Sequence, residues 1–195
     1  MSSWLGTETL STERVTLRPL MFDDVDALAQ VVTNPEAYRW TTVPTDTDSA
    51  LSWIESALAD PSRRVAYAVV DNTDGRLVGS TSFYDIDADN LTTAIGYTFY
   101  AEDAQGTAIN PTAKFLLMRH AFEECGAVRL VWHTHENNAQ SRAAIAKLGA
   151  TFEGLLRKHR RFAGGWRTTA QYALVDDDWP AAKQVLLERI SSEES

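Results

Sequence analysis

The chain has 195 residues, 44% of them hydrophobic and 23% charged, with a formal charge of −9. That length is enough for one domain with a sizeable core, and no Gly/Ser/Pro-rich linker divides it, so a single domain over 1–195 with its core at about 10–190 is expected. An acidic balance argues against nucleic acid as the main partner and leaves cationic or amine-bearing partners more compatible. No apolar run nears the ~18–20 residues that span a bilayer, and Met1-Ser2-Ser3-Trp4 lacks the features of a signal peptide, so no membrane partner and a cytoplasmic location are expected.

In chain order, Glu13 to Arg18 alternates polar and apolar residues as a half-buried strand does, and Pro19 stops it. Helical spacing of Val25, Leu28, Ala29 and Val32 predicts a helix over Asp23–Val32, ended by Asn34-Pro35. A second helix begins near Asp46-Thr47-Asp48, carries Leu51, Ile54 and Leu58 on one stripe, and closes at Asp60-Pro61. Three runs rich in Val, Tyr, Phe and Thr follow, Arg64–Val70, Leu77–Tyr84 and Leu91–Tyr100, separated by turns and readable as an antiparallel meander.

The second half alternates. A helix over Pro111–Cys125 leads through Gly126 to a strand over Val128–Thr134 and then to a helix from about Asn138 to Leu148, ended by Gly149. Strands Thr151–Phe162 and Arg167–Leu174 flank a turn at Gly164-Gly165, and a helix over Asp177–Ile190 closes the chain. The expected fold class is α/β, a mixed sheet of about seven strands flanked by helices. Cys125, alone and in a helical pattern, reads as a small buried residue rather than a nucleophile.

Between the strand ending at Tyr100 and the following helix lies Gln105-Gly106-Thr107-Ala108-Ile109-Asn110-Pro111. Such a turn leaves backbone N–H groups unpaired at a helix N-terminus, where the macrodipole favours negative charge, and so suits a pyrophosphate. Asn110 reads as the N-cap and Pro111 as the first helical residue. Taken alone, an ordinary capped turn explains the same residues.

Together with Arg14-Val15-Thr16-Leu17-Arg18-Pro19, Ile95-Gly96-Tyr97, Asn138-Ala139-Gln140-Ser141, Lys147-Leu148-Gly149-Ala150 and Glu153-Gly154-Leu155-Leu156-Arg157, this turn resembles the GCN5-related N-acetyltransferase superfamily, and within it the RimJ/RimL-like branch, from about Leu10 to Ile190. The resemblance implies acetyl-coenzyme A as cosubstrate, no metal, and transfer to an amine acceptor, a peptide or protein N-terminus or a small molecule. It implies cofactor contacts from Phe99, Gln105, Gly106, Thr107, Ala108, Ile109, Asn110, Asn138 and Ser141. Ala108 and Asn110 stand where the family usually has smaller residues, which predicts a less close approach to the phosphates. On the strand, Gly96 is expected to permit close approach of the pantetheine arm.

Two departures bear on catalysis. Ile145 occupies the position of the family's proton-donating Tyr, which makes Ser141 the candidate acid, although Asn138 and Ser141 also fit a plain helix start. Ala94 occupies the position of a common Glu base, leaving Glu102, Asp85, His133 and His135 as substitutes. His133 and His135 read equally as surface histidines, and a metal site lacks a third ligand. Arg157-Lys158-His159-Arg160-Arg161 reads as solvated strand edges, with a phosphate or acidic acceptor as the second choice. Tyr38-Arg39-Trp40-Thr41-Thr42 falls where the branch forms its acceptor pocket, core packing of Trp40 being the other reading. A catalytically weakened coenzyme A-binding sensor and a homodimer also stay open.

Overall fold

A computed structural model describes residues 4–193; Met1, Ser2 and Ser3 of the N-terminal reading lie outside the described residues. The strands are β1 (Leu10–Ser11), β2 (Val15–Pro19), β3 (Arg64–Asp71), β4 (Arg76–Asp87), β5 (Thr92–Tyr100), β6 (Arg129–His135), β7 (Thr151–Phe162) and β8 (Gly165–Val175). They form one eight-stranded sheet in the order β1-β2-β3-β4-β5-β6-β8-β7, one short strand more than the seven expected. Every neighbouring pair is antiparallel except β5 and β6. The helices are α1 (Val25–Leu28), α2 (Thr47–Leu58), α3 (Ile109–Arg119), α4 (Ala139–Ala146) and α5 (Trp179–Glu193). None among the described residues is long and apolar enough to cross a membrane.

Central strands read as continuous apolar runs because helices cover both faces of the sheet. On β3, Val65 to Val69 are all buried, with Tyr67, Ala68 and Val69 fully so. Helices α1 and α2 pack on β4 and β3, while α3 packs on β1, β2 and α5. Met118, Leu117 and Leu116 of α3 are fully buried, and Phe122 stacks on Trp179 with ring centroids 5.4 Å apart.

Several expected boundaries move. The helix predicted over Asp23–Val32 is a 3-10 turn at Phe22–Asp24 followed by the single turn of α1. Asp24 is pinned at that turn by the Arg18 guanidinium at 2.6 and 2.9 Å and by the Met21 N–H at 2.9 Å, and the β-branched run Val31-Val32-Thr33 before Pro35 favours extended backbone. Val31 and Val32 still enter the core. The β7–β8 hairpin turns at Ala163-Gly164, both at positive φ, rather than at Gly164-Gly165, because Phe162 pairs with Gly165. After α3 the helix widens into a π-turn at His120–Glu124, and Cys125 sits half-buried behind it with its thiol pushed up to about 11 by burial.

The divergence that opens the site is local. β5 and β6 pair only at Thr92–Ala94 with Arg129–Val131 and then separate. On its other edge β5 carries a bulge against β4: Ser80 pairs with Phe99 and Ser82 with Gly96, so Tyr97 and Thr98 face Thr81 alone. Tyr97 takes φ of 51°, the left-handed conformation that such an extra residue often adopts. Beyond Ala94, β5 therefore keeps a strand partner on one side only.

Candidate functional site

The separated ends of β5 and β6 enclose a cleft of about 270 Å³. Ile95 to Tyr100 form one wall, Trp132 to His135 and α4 the other, and Gln105, Gly106 and Asn110 one end; Tyr38, Trp40, Thr41 and Arg167 also line it.

At the α3 end, the turn is built for open donors. Gly106 sits at φ of 74° with open space where a Cβ would stand. Among the described residues, the N–H groups of Gly106, Thr107 and Ala108 have no acceptor. The helix starts two residues earlier than predicted: Ile109 is its first residue and Ala108 its N-cap, so Asn110 is not the cap. Thr107 takes part of that role, donating its hydroxyl to Ala104 O at 2.8 Å and accepting from the Ile109 N–H at 3.3 Å. Asn110 is thereby free to line the cleft, and Pro111 still falls in the first turn, where its missing N–H costs nothing. Ala108 has helical backbone and a buried methyl, so the turn needs no glycine there. Gln105 Nε2 donates to Tyr38 Oη at 3.2 Å and Tyr100 O at 3.3 Å, which ties the turn to the end of β5.

Of the predicted cofactor residues, Phe99, Gln105, Gly106, Asn110, Asn138 and Ser141 come together on this cleft. Thr107, Ala108 and Ile109 are not among its lining residues. Asn138 caps α4, its Oδ1 accepting the Ser141 N–H at 3.0 Å, while the Ser141 hydroxyl has no partner among the described residues. Ile145 lines the same wall and supplies no proton.

The base candidates separate. Glu102 and Asp85 are exposed and outside the cleft, Asp85 being ion-paired to Arg160 at 2.8 Å. His133 and His135 are half-buried cleft residues, not surface histidines. His133 Nδ1 lies 2.9 Å from Tyr84 Oη, and its Nε2 lies 3.0 Å from Gln171 Oε1. Gln171 Nε2 donates in turn to Glu153 Oε2 at 3.0 Å, and hydrogen bonds from Arg129 hold the Glu153 carboxyl below its ordinary range. An ionised Glu153 accepts only, so the Gln171 carbonyl must face His133. In its neutral form His133 then carries its proton on Nε2, and Nδ1 accepts from the Tyr84 hydroxyl. Burial, with His159 and Arg160 nearby, lowers the His133 pKa and keeps the ring neutral.

Gly96 serves this arrangement. A Cβ there would stand 2.7 Å from Tyr84 Cε1, so the close approach it permits is that of the Tyr84 ring. Trp40 packs against His135 with ring centroids 4.4 Å apart and lines the cleft instead of entering the core. In the basic run, Arg157, Lys158 and Arg161 are exposed, as solvated edges should be, whereas His159 lies 5.1 Å from His133.

Three lining residues carried no recognisable signal in the sequence. Lys114 is buried on α3, its Nζ donating to Thr98 Oγ1 at 2.6 Å and Thr81 Oγ1 at 2.9 Å, and burial lowers its pKa to about 7. Its one cue is a charge inside the apolar run Ala113 to Met118. Trp132 buries its indole Nε1 with no acceptor among the described residues. Arg167, on β8, lines the cleft near Tyr84 and Tyr97.

Comparison with known proteins agrees with this geometry. A family model described as an acetyltransferase (GNAT) domain matches residues 14–151. A Bacillus subtilis protein named as a ribosomal N-acetyltransferase, YdaF, is 27% identical over 179 residues, covering 88% of this chain and 96% of its own. The N-acetyltransferase p20 of Bacillus licheniformis is 26% identical over 176 residues, covering 88% of this chain and 98% of its own. A GCN5-related N-acetyltransferase structure from Brucella melitensis superposes with a TM-score of 0.87 at 27% identity, over 94% of this chain and 86% of that one. Mycobacterium smegmatis RimJ, solved with a coenzyme A disulfide, shares the fold at a TM-score of 0.81 and 21% identity, with 97% of each chain covered. With the family model spanning most of its length, the chain belongs to the GNAT acetyltransferases, enzymes that use acetyl-coenzyme A to acetylate an amine acceptor.

Proposed function

We propose that the protein binds acetyl-coenzyme A along the cleft and transfers its acetyl group to an α-amine, that of a peptide or protein N-terminus, by direct attack. The observation that carries this reading is the parting of β5 from β6 directly beside the open donors of the α3 turn. Unpaired N–H groups at Gly106, Thr107 and Ala108, reinforced by the helix dipole, suit the pyrophosphate. The free edge of β5 and the orphaned Trp132 Nε1 suit the amide groups of the pantetheine arm. The coenzyme A present in solved RimJ and RimL structures, and the naming of YdaF as a ribosomal N-acetyltransferase, are in keeping with this substrate pair.

Chemically, the amine nitrogen bonds to the acetyl carbon while the carbon–sulfur bond breaks. The amine proton passes to the Tyr84 hydroxyl as that hydroxyl gives its own proton to His133 Nδ1. The departing thiolate takes a proton from the Ser141 hydroxyl as that hydroxyl recovers one from solvent, and His133 returns its extra proton to solvent, so no alkoxide or imidazolium is left. A neutral imidazole is a moderate base, which selects the acceptor: an α-amine has a pKa near ~7.7–8.0, a Lys amine near ~10.4. Deprotonating the latter costs about 3–4 kcal/mol more, roughly a few hundredfold in rate. Thiol release from acetyl-coenzyme A, measured with matched peptides having a free N-terminus or only a lysine, tests the reading. Turnover should favour the free N-terminus strongly. Turnover confined to the lysine peptide, or to neither, would overturn it.

A further inference from the structure

We propose that Arg167 makes the acceptor end of the cleft selective for α-amines that carry a carboxylate close to the amine. This rests on the acetyl-transfer reading above and specifies its substrate.

Arg14, Arg18, Arg119, Arg129 and Arg160 are half-exposed at most, and each holds an Asp or Glu. Arg167 lies at similar depth without one. Its Nε donates to Thr169 Oγ1 at 3.1 Å, and among the described residues its two Nη atoms have no carboxylate within ion-pair distance. Burying a guanidinium without a counter-ion is unfavourable, and an incoming carboxylate matches its paired N–H groups.

Among the described residues, no Asp or Glu lines the cleft to compete for it. Asp85 is taken by Arg160, and Glu136, beside His135, forms no ion pair with Arg167 among the described residues. His135 adds a neutral donor: its Nδ1 accepts the Asn137 N–H at 3.1 Å, which leaves the proton of the neutral ring on Nε2. Arg64, which forms no ion pair among the described residues, packs 3.8 Å over the ring of Tyr97 and makes the potential there more positive. In a chain of charge −9 this end of the cleft is a local exception. A carboxylate held there would leave the neighbouring amine directed toward His133 and Tyr84.

Two sources supply this chemistry, an acidic first residue of a peptide and the α-carboxylate of a free amino acid. The test compares kcat/KM for a peptide beginning Asp-Ala with its Asn-Ala counterpart, and for a free amino acid with its amide. Wild type should favour the carboxylate member of at least one pair by about 10–100-fold, the range of a charge-assisted hydrogen-bond pair. The favoured pair identifies the source. Arg167→Gln should erase most of that ratio, chiefly by raising KM for the acidic acceptor, and Arg167→Lys should restore part of it. A wild-type ratio near one in both pairs, or Arg167→Gln lowering both members equally, would overturn the proposal while acetyl transfer stands. Absence of transfer to every acceptor would instead remove the reading beneath it.

Discussion

The Tyr84 hydroxyl lies 2.9 Å from His133 Nδ1, and Gly96 is what lets it do so. Any side chain at 96 would drive the Tyr84 ring out of its place between Tyr97, at 5.1 Å, and His133. Gly96→Ala should therefore cut kcat by about 10–100-fold, since a proton acceptor moved off line loses most of its effect. Coenzyme A affinity measured by calorimetry should change less than kcat. An unaltered kcat would show that Tyr84 takes no part in proton transfer.

For His133 the sign of the pH dependence follows from burial. Its pKa is lowered, so the neutral form persists below the ordinary imidazole value of about 6.5. In the saturated enzyme, kcat should stay flat down to that region and fall only below it. His133→Gln should remove the acid limb and lower kcat by about 10²–10⁴-fold. A limb centred above pH 7 in wild type would contradict the assignment.

Ser141→Ala should lower kcat by about 10–100-fold, on the order of 1.4–2.7 kcal/mol, because a thiolate needs only modest help to leave. Cofactor affinity should change little, since the open donors of the turn lie on α3 and Ser141 on α4. An unchanged kcat, measured where chemistry limits the rate, would leave Ser141 as a helix-start residue and point to water as the proton source.

Lys114 predicts a stability effect. Its folded pKa of about 7 lies below the ordinary lysine value of about 10.4, so the unfolded chain binds more protons between those two pH values and stability rises across that window. Below pH 7 the full penalty for the buried ammonium is present. Lys114→Met should then stabilise the protein by about 1–4 kcal/mol at pH 6, with the gain shrinking toward pH 10 in denaturant melts. A gain independent of pH would mean that the fold does not lower the Lys114 pKa.

Much of the fold was legible because its signals are local. The period-2 run at Val15–Arg18, the stripe of α2 and the glycine after α4 each fix one element. The turn at Gln105–Asn110 was legible as a donor cradle for the same reason, although its cap was misread: Ala108 can start the helix without a capping side chain once Thr107 bonds both ways. The helix at Asp23–Val32 failed because a tertiary ion pair, Arg18 to Asp24, outweighs local periodicity. The network Tyr84–His133–Gln171–Glu153 was illegible because its members come from β4, β6, β8 and β7, and only strand order unites them.

The most direct measurement of the central claim is titration calorimetry with acetyl-coenzyme A on wild type, Gly106→Asn and Gly106→Asp. Both substitutions take on the same left-handed backbone, which Asn and Asp tolerate, and only the second adds charge. The account predicts binding in wild type, near-wild-type binding in the Asn variant, and binding about tenfold or more weaker in the Asp variant, from a like charge set against the pyrophosphate. Equal affinity in the Asn and Asp variants, or no binding by wild type at millimolar cofactor, would contradict it.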